Sequence, residues 1–230
     1  MGFSLRRFRA GWGPRCVIEA LDLELSPGEL LMIVGPGGSG KSTLLAALEA
    51  VVNHEPAPAG PWWEGELEVE FDRATRASQR GRRDTEPVAE LFAALGVEPG
   101  PSAWCWPSRA DLAAELDGVL TTPLAEVPDR LRRLISFLLS ASARGDLLLL
   151  DEPDFGQHGP WLDHVHEVVA KLRADQRSIV AVTHYLPLAR SMGDRIGLMI
   201  DGQMIEIAPT EDFFERPTQP RTRQYIQWGA

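Results

Sequence analysis

The stretch GPGGSGKST, residues 35–43, decides how this 230-residue chain folds. It matches the pattern G-x-x-x-x-G-K-[ST], in which glycines let the backbone turn tightly and point its N–H groups at phosphate oxygens. The apolar run LLMIV at 30–34 predicts a strand buried on both faces. Apolar residues at helical spacing between 42 and 52 predict a helix whose positive N-terminal dipole faces the loop. This order of strand, glycine loop and helix predicts a phosphate-binding loop.

The residues of this loop have distinct expected parts in holding a phosphate chain. Lys41 is expected to reach the β- and γ-phosphates, and the Ser42 hydroxyl is expected to coordinate Mg²⁺. A glycine-rich turn with an accidental lysine is the alternative, and the flanking strand and helix argue against it. The candidate contacts are Gly35, Gly37, Gly38, Ser39, Gly40, Lys41, Ser42 and Thr43.

Two further apolar strands end in polar side chains. The run LLLLDEP at 147–153 predicts a strand that places the Asp151 carboxylate beside a metal ion, followed by Glu152, which can orient or deprotonate an attacking water. The run SIVAVTH ends in His184. Because ligands bind at the carboxyl ends of strands in open α/β sheets, His184 is a candidate phosphate contact rather than a structural histidine.

Composition and charge exclude several classes of protein. The net charge is −10, with 23 basic and 33 acidic residues, which argues against a nucleic-acid partner. The basic clusters at 6–9 and 80–84 are interpreted as solvated loop charges. The N-terminus has no apolar signal-peptide core, and no apolar run approaches the ~20 residues of a membrane helix. The chain is therefore expected to be cytoplasmic.

Strand and helix patterns alternate along most of the chain and predict a mostly parallel α/β sheet. Helical periodicity dominates residues 79–144, including an amphipathic helix over 129–145. A hairpin with Asp201-Gly202 at its turn predicts an antiparallel β portion. His158, His164 and His166 lie close in sequence, but the last two diverge on a helix and are expected to be solvated rather than metal ligands.

These motifs resemble the ATP-binding subunit of an ABC transporter over nearly the whole chain. Residues 35–43 match its Walker A loop, 147–152 its Walker B strand with catalytic glutamate, and His184 its switch histidine. The resemblance implies a P-loop NTPase core formed by 1–78 and 145–230, with a helical subdomain at 79–144. It also implies that Trp12, which lies 23 residues ahead of Gly35, stacks on adenine.

The resemblance further implies a glutamine that senses Mg²⁺ and couples to the membrane subunits. Gln79 is the candidate, because it is the sole glutamine between Lys41 and Gln157. The residues before it, RATRAS, lack the apolar strand that usually precedes this glutamine.

Two elements depart from the family pattern. Members act as head-to-tail pairs, in which a Ser-Gly-Gly signature of one subunit faces the ATP held by the other. Here the matching segment, 127–131, reads VPDRL, and the loop that crosses to the partner reads FGQH at 155–158. Asp129 adds negative charge toward a polyphosphate, while Arg130 can offset part of that charge. A non-identical ATPase partner with an intact signature is therefore expected.

The resemblance implies an ATPase that powers transport, bound to integral membrane subunits at the inner face of the cell membrane. The segment 208–226 is similar to the tails of phosphate and polar-amino-acid importer ATPases. The alternative is a nucleotide-gated structural or regulatory subunit of a soluble assembly, for which the altered 127–131 segment leaves room.

Overall fold

The structure, a computed structural model, describes residues 2–54, 60–77, 85–153 and 159–229. The strands are β1 (Phe3–Trp12), β2 (Arg15–Leu25), β3 (Leu30–Val34), β4 (Trp62–Val69), β5 (Ala74–Ala77), β6 (Leu147–Asp151), β7 (Ser178–Thr183), β8 (Arg195–Ile200) and β9 (Gln203–Pro209). The helices are α1 (Lys41–Val52), α2 (Val88–Ala93), α3 (Ala110–Asp117), α4 (Asp129–Ser142), α5 (Pro160–Ala174), α6 (Leu186–Met192), α7 (Thr210–Glu215) and α8 (Pro220–Trp228), with a 3₁₀ turn at Leu124–Glu126.

The strands form two sheets. A six-stranded sheet has the order β5-β6-β7-β3-β8-β9, in which all neighbours are parallel except the β8–β9 hairpin. A three-stranded antiparallel sheet has the order β2-β1-β4. The predicted α/β fold with a mostly parallel sheet and an antiparallel portion is therefore confirmed.

The core lies in two layers on opposite faces of the larger sheet. Leu31 and Ile33 of β3 pack with α1 and the antiparallel sheet, whereas Leu30, Met32 and Val34 pack with the helices of the other face. All five residues of β3 are fully buried. This two-sided burial explains the uninterrupted apolar run before the loop, because neither face of the strand meets water.

The first strand was not predicted, and the basic cluster at 6–9 is not in a loop. Arg6 pairs with Glu24, Arg7 with Glu66 and Arg9 with Glu64, so the arginines project to solvent from β1 beside its neighbouring strands. Phe3, Leu5, Phe8 and Ala10 of the same strand are buried. The charges are solvated, as expected, but on the outer face of a sheet.

The residues before Gln79 form a strand although they lack an apolar run. Ala74–Ala77 forms β5, parallel to β6, with the polar residues Thr75 and Arg76 at its centre. The buried Thr75 hydroxyl donates to the Ser140 carbonyl at 3.2 Å, and the Arg177 guanidinium donates to that hydroxyl at 2.6 Å. Because these bonds satisfy the polar side chain inside the fold, an edge strand can form without an apolar run.

Within the described part of 79–144, the regular elements are helices α2, α3 and α4 and a 3₁₀ turn, separated by irregular segments, as the sequence predicts. The division of the chain at 78 and 144 stays a prediction. Helices α7 and α8 return the C-terminus to the core, where Phe213 and Tyr225 are buried. Among the described residues, no helix is long and apolar enough to cross a membrane.

Candidate nucleotide-binding site

The glycine loop between β3 and α1 is shaped by close approaches of backbone. A Cβ at Gly35 would overlap the Met199 carbonyl oxygen on β8, so only glycine fits there without displacement. Gly38 and Gly40 have φ of 78° and 102°, in the left-handed region that favours glycine. The Gly202 N–H at the β8–β9 turn donates to the Ser39 carbonyl at 2.9 Å and supports the loop from beside it.

Lys41 lies inside this loop and is almost fully buried. Its ammonium donates to the carbonyls of Gly35 and Pro36 at 2.8 and 2.9 Å and to the Ser39 hydroxyl at 3.3 Å. Burial lowers the pKa of Lys41, and the charges of Glu152 and Asp151 act in the opposite direction. The ammonium is thus a positive charge in a poorly hydrated loop, where an anionic ligand offsets the cost of its burial.

Two of the predicted metal ligands, Ser42 and Asp151, lie together beside the loop. The Ser42 hydroxyl donates to Asp151 Oδ1 at 3.2 Å, which joins the start of α1 to the end of β6. Hydroxyl and carboxylate oxygens are the ligand types that Mg²⁺ prefers. This donor set therefore fits a magnesium ion.

Glu152 and His184 follow neighbouring parallel strands and form one pair. The Glu152 N–H donates to the Val182 carbonyl at 2.9 Å, which extends the ladder between β6 and β7 by one residue. Glu152 Oε1 lies 2.9 Å from His184 Nδ1. Glu152 adopts a φ of 51°, which is unusual for a residue other than glycine. A carboxylate oriented by a histidine is suited to holding and deprotonating water.

Trp12 lies in the same cleft as the loop, at the end of β1. A cleft of about 390 Å³ is lined by Trp12, Arg15, Val17 and residues 38–43. The indole Nε1 donates to the Thr43 hydroxyl at 3.3 Å, and the side chain remains 41% exposed. Its surface is accessible to a flat ligand, and its role as an adenine platform stays a prediction.

Gln79, the basic cluster at 80–84 and the segment 155–158, which includes His158, lie outside the described residues. The altered signature segment is described. Helix α4 starts at Asp129, after Pro128, and Asp129 pairs with Arg132 one turn further on. The Arg130 guanidinium lies 5.6 Å from the centre of the Trp161 ring on α5.

His164 is not solvated, contrary to expectation. It is 2% exposed, and its Nε2 lies 2.9 Å from the Cys105 carbonyl. Helix α5 turns this side chain away from solvent toward Cys105, which lies between α2 and α3. The spacing of His164 and His166 alone does not predict this direction. Within the described residues, no cluster of three or more histidine, cysteine, aspartate or glutamate side chains could hold a metal ion.

Two residues at the site were missed by sequence reasoning. Arg76 on β5 contacts Asp151, and Tyr225 on α8 reaches the loop. Burial raises the pKa of the Tyr225 hydroxyl, and its hydrogen bond to the backbone of Gly35 opposes that rise. Neither residue belongs to a local motif, so a signal in the sequence is lacking for both.

A lysine-bearing glycine loop lies between β3 and the N-terminus of α1, and carboxylates lie beside it at the end of β6, which is separated from β3 by β7. This arrangement defines a P-loop nucleotide triphosphatase. The family model described as "ABC transporter" matches residues 18–98. The hemin import ATP-binding protein of Streptomyces coelicolor is 30% identical over 90% of this chain and 77% of its own length. The L-cystine transport system ATP-binding protein of Escherichia coli is 27% identical over 92% of this chain and 91% of its own.

A solved structure of an ATP-binding subunit of an ABC transporter supports the fold. It superposes with a TM-score of 0.73 at 15% identity, covering 100% of both chains. The chain belongs to the family of ABC transporter ATP-binding proteins and is an ATPase of that family.

Proposed function

We propose that this chain binds and hydrolyses Mg·ATP to power an importer, docked on integral membrane subunits at the inner face of the membrane. The relatives named above are a hemin import and an L-cystine transport protein. Their cargoes differ, so no cargo is assigned to this chain, and the name of the hemin relative supports import as the direction of transport. These transport relatives favour this function over a regulatory role in a soluble assembly.

The observation that carries the proposal is the convergence of charged side chains at one end of the parallel sheet. The N–H groups of the glycine loop and the Lys41 ammonium would hold the phosphates, while Ser42 and Asp151 would hold Mg²⁺. A bound Mg²⁺ would supply charge neutralisation for the phosphates. Trp12 would stack on the adenine from the edge of the cleft, and Gln79 would sense the metal ion.

Glu152 would accept the proton of the attacking water, and His184 would hold both Glu152 and the terminal phosphate. Removing a general base typically costs about 10²- to 10⁴-fold in rate. Glu152→Gln keeps the shape of the side chain and is therefore expected to slow hydrolysis by this factor while ATP binding is retained. Glu66→Gln, an exposed glutamate on β4, is the control and should hydrolyse ATP normally. Unchanged hydrolysis by Glu152→Gln would remove the residue from this role.

We further propose that the functional ATPase pair contains a second, non-identical subunit. Pro128 has no N–H to donate, and Asp129 places a carboxylate in the first turn of α4. Arg132 and Trp161 bind the side chains of Asp129 and Arg130 within the same subunit. A phosphate presented by a partner would therefore meet neither a hydroxyl nor a free glycine backbone.

Loss of one preorganised donor typically lowers the rate about 10²- to 10³-fold. A homodimer of this chain, with two altered segments, is thus expected to turn over far below about one ATP per second. A pair with an intact partner should have one fast site, which uses the Walker residues of this chain, and one slow site. The steady-state ATPase rate of the purified chain, measured alone and in its native complex, tests this. Turnover of several per second by the chain alone would refute the unlike partner.

A further inference from the structure

Arg76 lies on β5 and directs its guanidinium toward the carboxylate that is proposed to hold the metal ion. Its Nη2 lies 3.4 Å from Asp151 Oδ2, and its Nη1 lies 3.8 Å from Glu49 Oε2 on α1. The side chains of Arg76 and Asp151 are 19% and 16% exposed. Because both are largely removed from water, salt screens this pair less than it screens a surface ion pair.

The position of Arg76 is fixed by its backbone. The Asn53 side chain at the end of α1 bonds both ways with Ala74, at 3.1 and 2.9 Å. The Ser140 hydroxyl of α4 donates to the Arg76 carbonyl at 3.0 Å. Pairing of β5 with β6 sets Arg76 opposite Leu149, two residues before Asp151. The backbone that carries the guanidinium is thus held by α4, by β6 and by Asn53 at the end of α1.

Asp151 consequently has a partner on each oxygen. Ser42 donates to Oδ1, and Arg76 contacts Oδ2. The two terminal nitrogens of the Arg76 guanidinium lie near the carboxylates of Glu49 and Asp151. Its Nε has no hydrogen-bond partner within the described residues. A divalent cation bound between Ser42 and Asp151 would share the Asp151 carboxylate with the positive charge of Arg76.

We propose that Arg76 is a positioning residue that competes with Mg²⁺ for Asp151 and provides part of the positive charge that the phosphates require. This inference rests on the proposed Mg·ATP site. The arginine orients the carboxylate toward Ser42, weakens its attraction for the metal ion and strengthens the attraction of the site for ATP that carries no metal ion.

The two electrostatic effects have opposite signs, which separates them from a loss of structure. Arg76→Gln removes one positive charge and keeps a polar side chain of comparable reach. Mg²⁺ should then bind the ATP-loaded site more tightly, whereas metal-free ATP should bind more weakly, each by about three- to tenfold. General unfolding of the site would weaken both.

The experiment measures binding of a fluorescent ATP analogue to the full chain at equilibrium. The dissociation constant in EDTA and the Mg²⁺ concentration that gives half of the metal-dependent signal are determined for each variant, together with the melting temperature. Arg76→Lys keeps the charge and should restore wild-type values. Arg195→Gln on β8 is the matched control, because it removes the 3.0 Å ion pair of Arg195 with Glu29, which precedes β3 at the end of that strand opposite the glycine loop.

In Arg76→Gln we expect a higher dissociation constant in EDTA and a lower half-saturating Mg²⁺ concentration. Arg76→Lys and Arg195→Gln should show neither shift. Equal values in Arg76→Gln and wild type, or weakening of both constants together, would overturn the role of Arg76. Failure of the proposed function has a different signature: the wild-type chain itself would show no Mg²⁺-dependent binding of the analogue.

Discussion

A methyl group added at either of two glycines in the same loop should have opposite consequences. At Gly35, φ is 155°, and the new Cβ would overlap the Met199 carbonyl oxygen, well inside the roughly 3.5 Å at which nonbonded atoms pack best. The obstacle is backbone of β8, which cannot rotate away. Overpacking and backbone strain each cost about 1–3 kcal/mol, so Gly35→Ala should lose roughly 2–6 kcal/mol of an unfolding free energy of about 5–15 kcal/mol.

Gly37→Ala is the matched control. Among the residues that the structure describes, no heavy atom beyond its chain neighbours lies within 4 Å of a Cβ added at Gly37, and its φ is outside the left-handed region. Reduced entropy of the unfolded chain should leave stability unchanged or raise it by up to about 1 kcal/mol. For a chain of this size, about 3 kcal/mol corresponds to roughly 6–12 °C in melting temperature.

Circular dichroism melts without nucleotide provide the assay, followed by melts with saturating Mg·ATP. Gly35→Ala should melt several degrees below both wild type and Gly37→Ala. It should also lose most of the ATP-dependent stabilisation, because the N–H groups of the glycine loop are displaced from the phosphates. Equal melting temperatures for the two alanine variants would refute the steric account of the loop.

Two further predictions concern an aromatic side chain and a buried histidine. Trp12→Ala should weaken binding of an ATP analogue about fivefold or more, because base stacking contributes about 1–3 kcal/mol. Trp228→Ala, at the exposed end of α8, is the control and should bind the analogue normally. Equal affinities of the two variants would exclude the stacking role. Burial lowers the pKa of His164, so the unfolded chain takes up a proton on this histidine more readily than the folded chain does. The stability that the neutral histidine contributes is therefore fully present above about pH 6.5 and falls as the pH drops below that value. His164→Gln, which can still donate to the Cys105 carbonyl, should lose less melting temperature between about pH 7.5 and 5.5 than wild type, and an identical loss would contradict the assignment.

The parts of the fold that the sequence predicts are those with strong local patterns. The apolar runs of β3, β6 and β7 mark strands buried on both faces. Strand β6 ends at Asp151, and β3 and β7 are followed directly by Gly35 and His184 of the site. The first strand lacks such a pattern, because its register shifts between Leu5 and Phe8, where Arg7 has a φ of 49°. The bulge breaks the alternation of buried and exposed residues, so a strict period of two does not detect it.

Long-range contacts set the remaining features of the site. Arg76 reaches Asp151 across 75 positions of sequence, and its strand is stabilised by Asn53 and Ser140 rather than by apolar side chains. Tyr225 approaches Gly35 from the last helix. Such contacts follow from the packing of whole elements, and neither residue has a neighbour in sequence that would indicate its partner.

The electrostatic balance at the start of α4 determines what the altered segment can offer to a partner's nucleotide. Arg130 stacks on the Trp161 ring, a cation–π contact that is worth about 1 kcal/mol. Asp129 remains in the first turn of the helix, where a carboxylate is favoured by about 0.3–1 kcal/mol and cancels the positive end of the dipole. With one charge of each sign and no N–H at Pro128, the segment can tolerate a phosphate but has few fixed donors for a developing transition state. This difference between holding and hydrolysing ATP is the physical basis for expecting the slow site in an unlike pair.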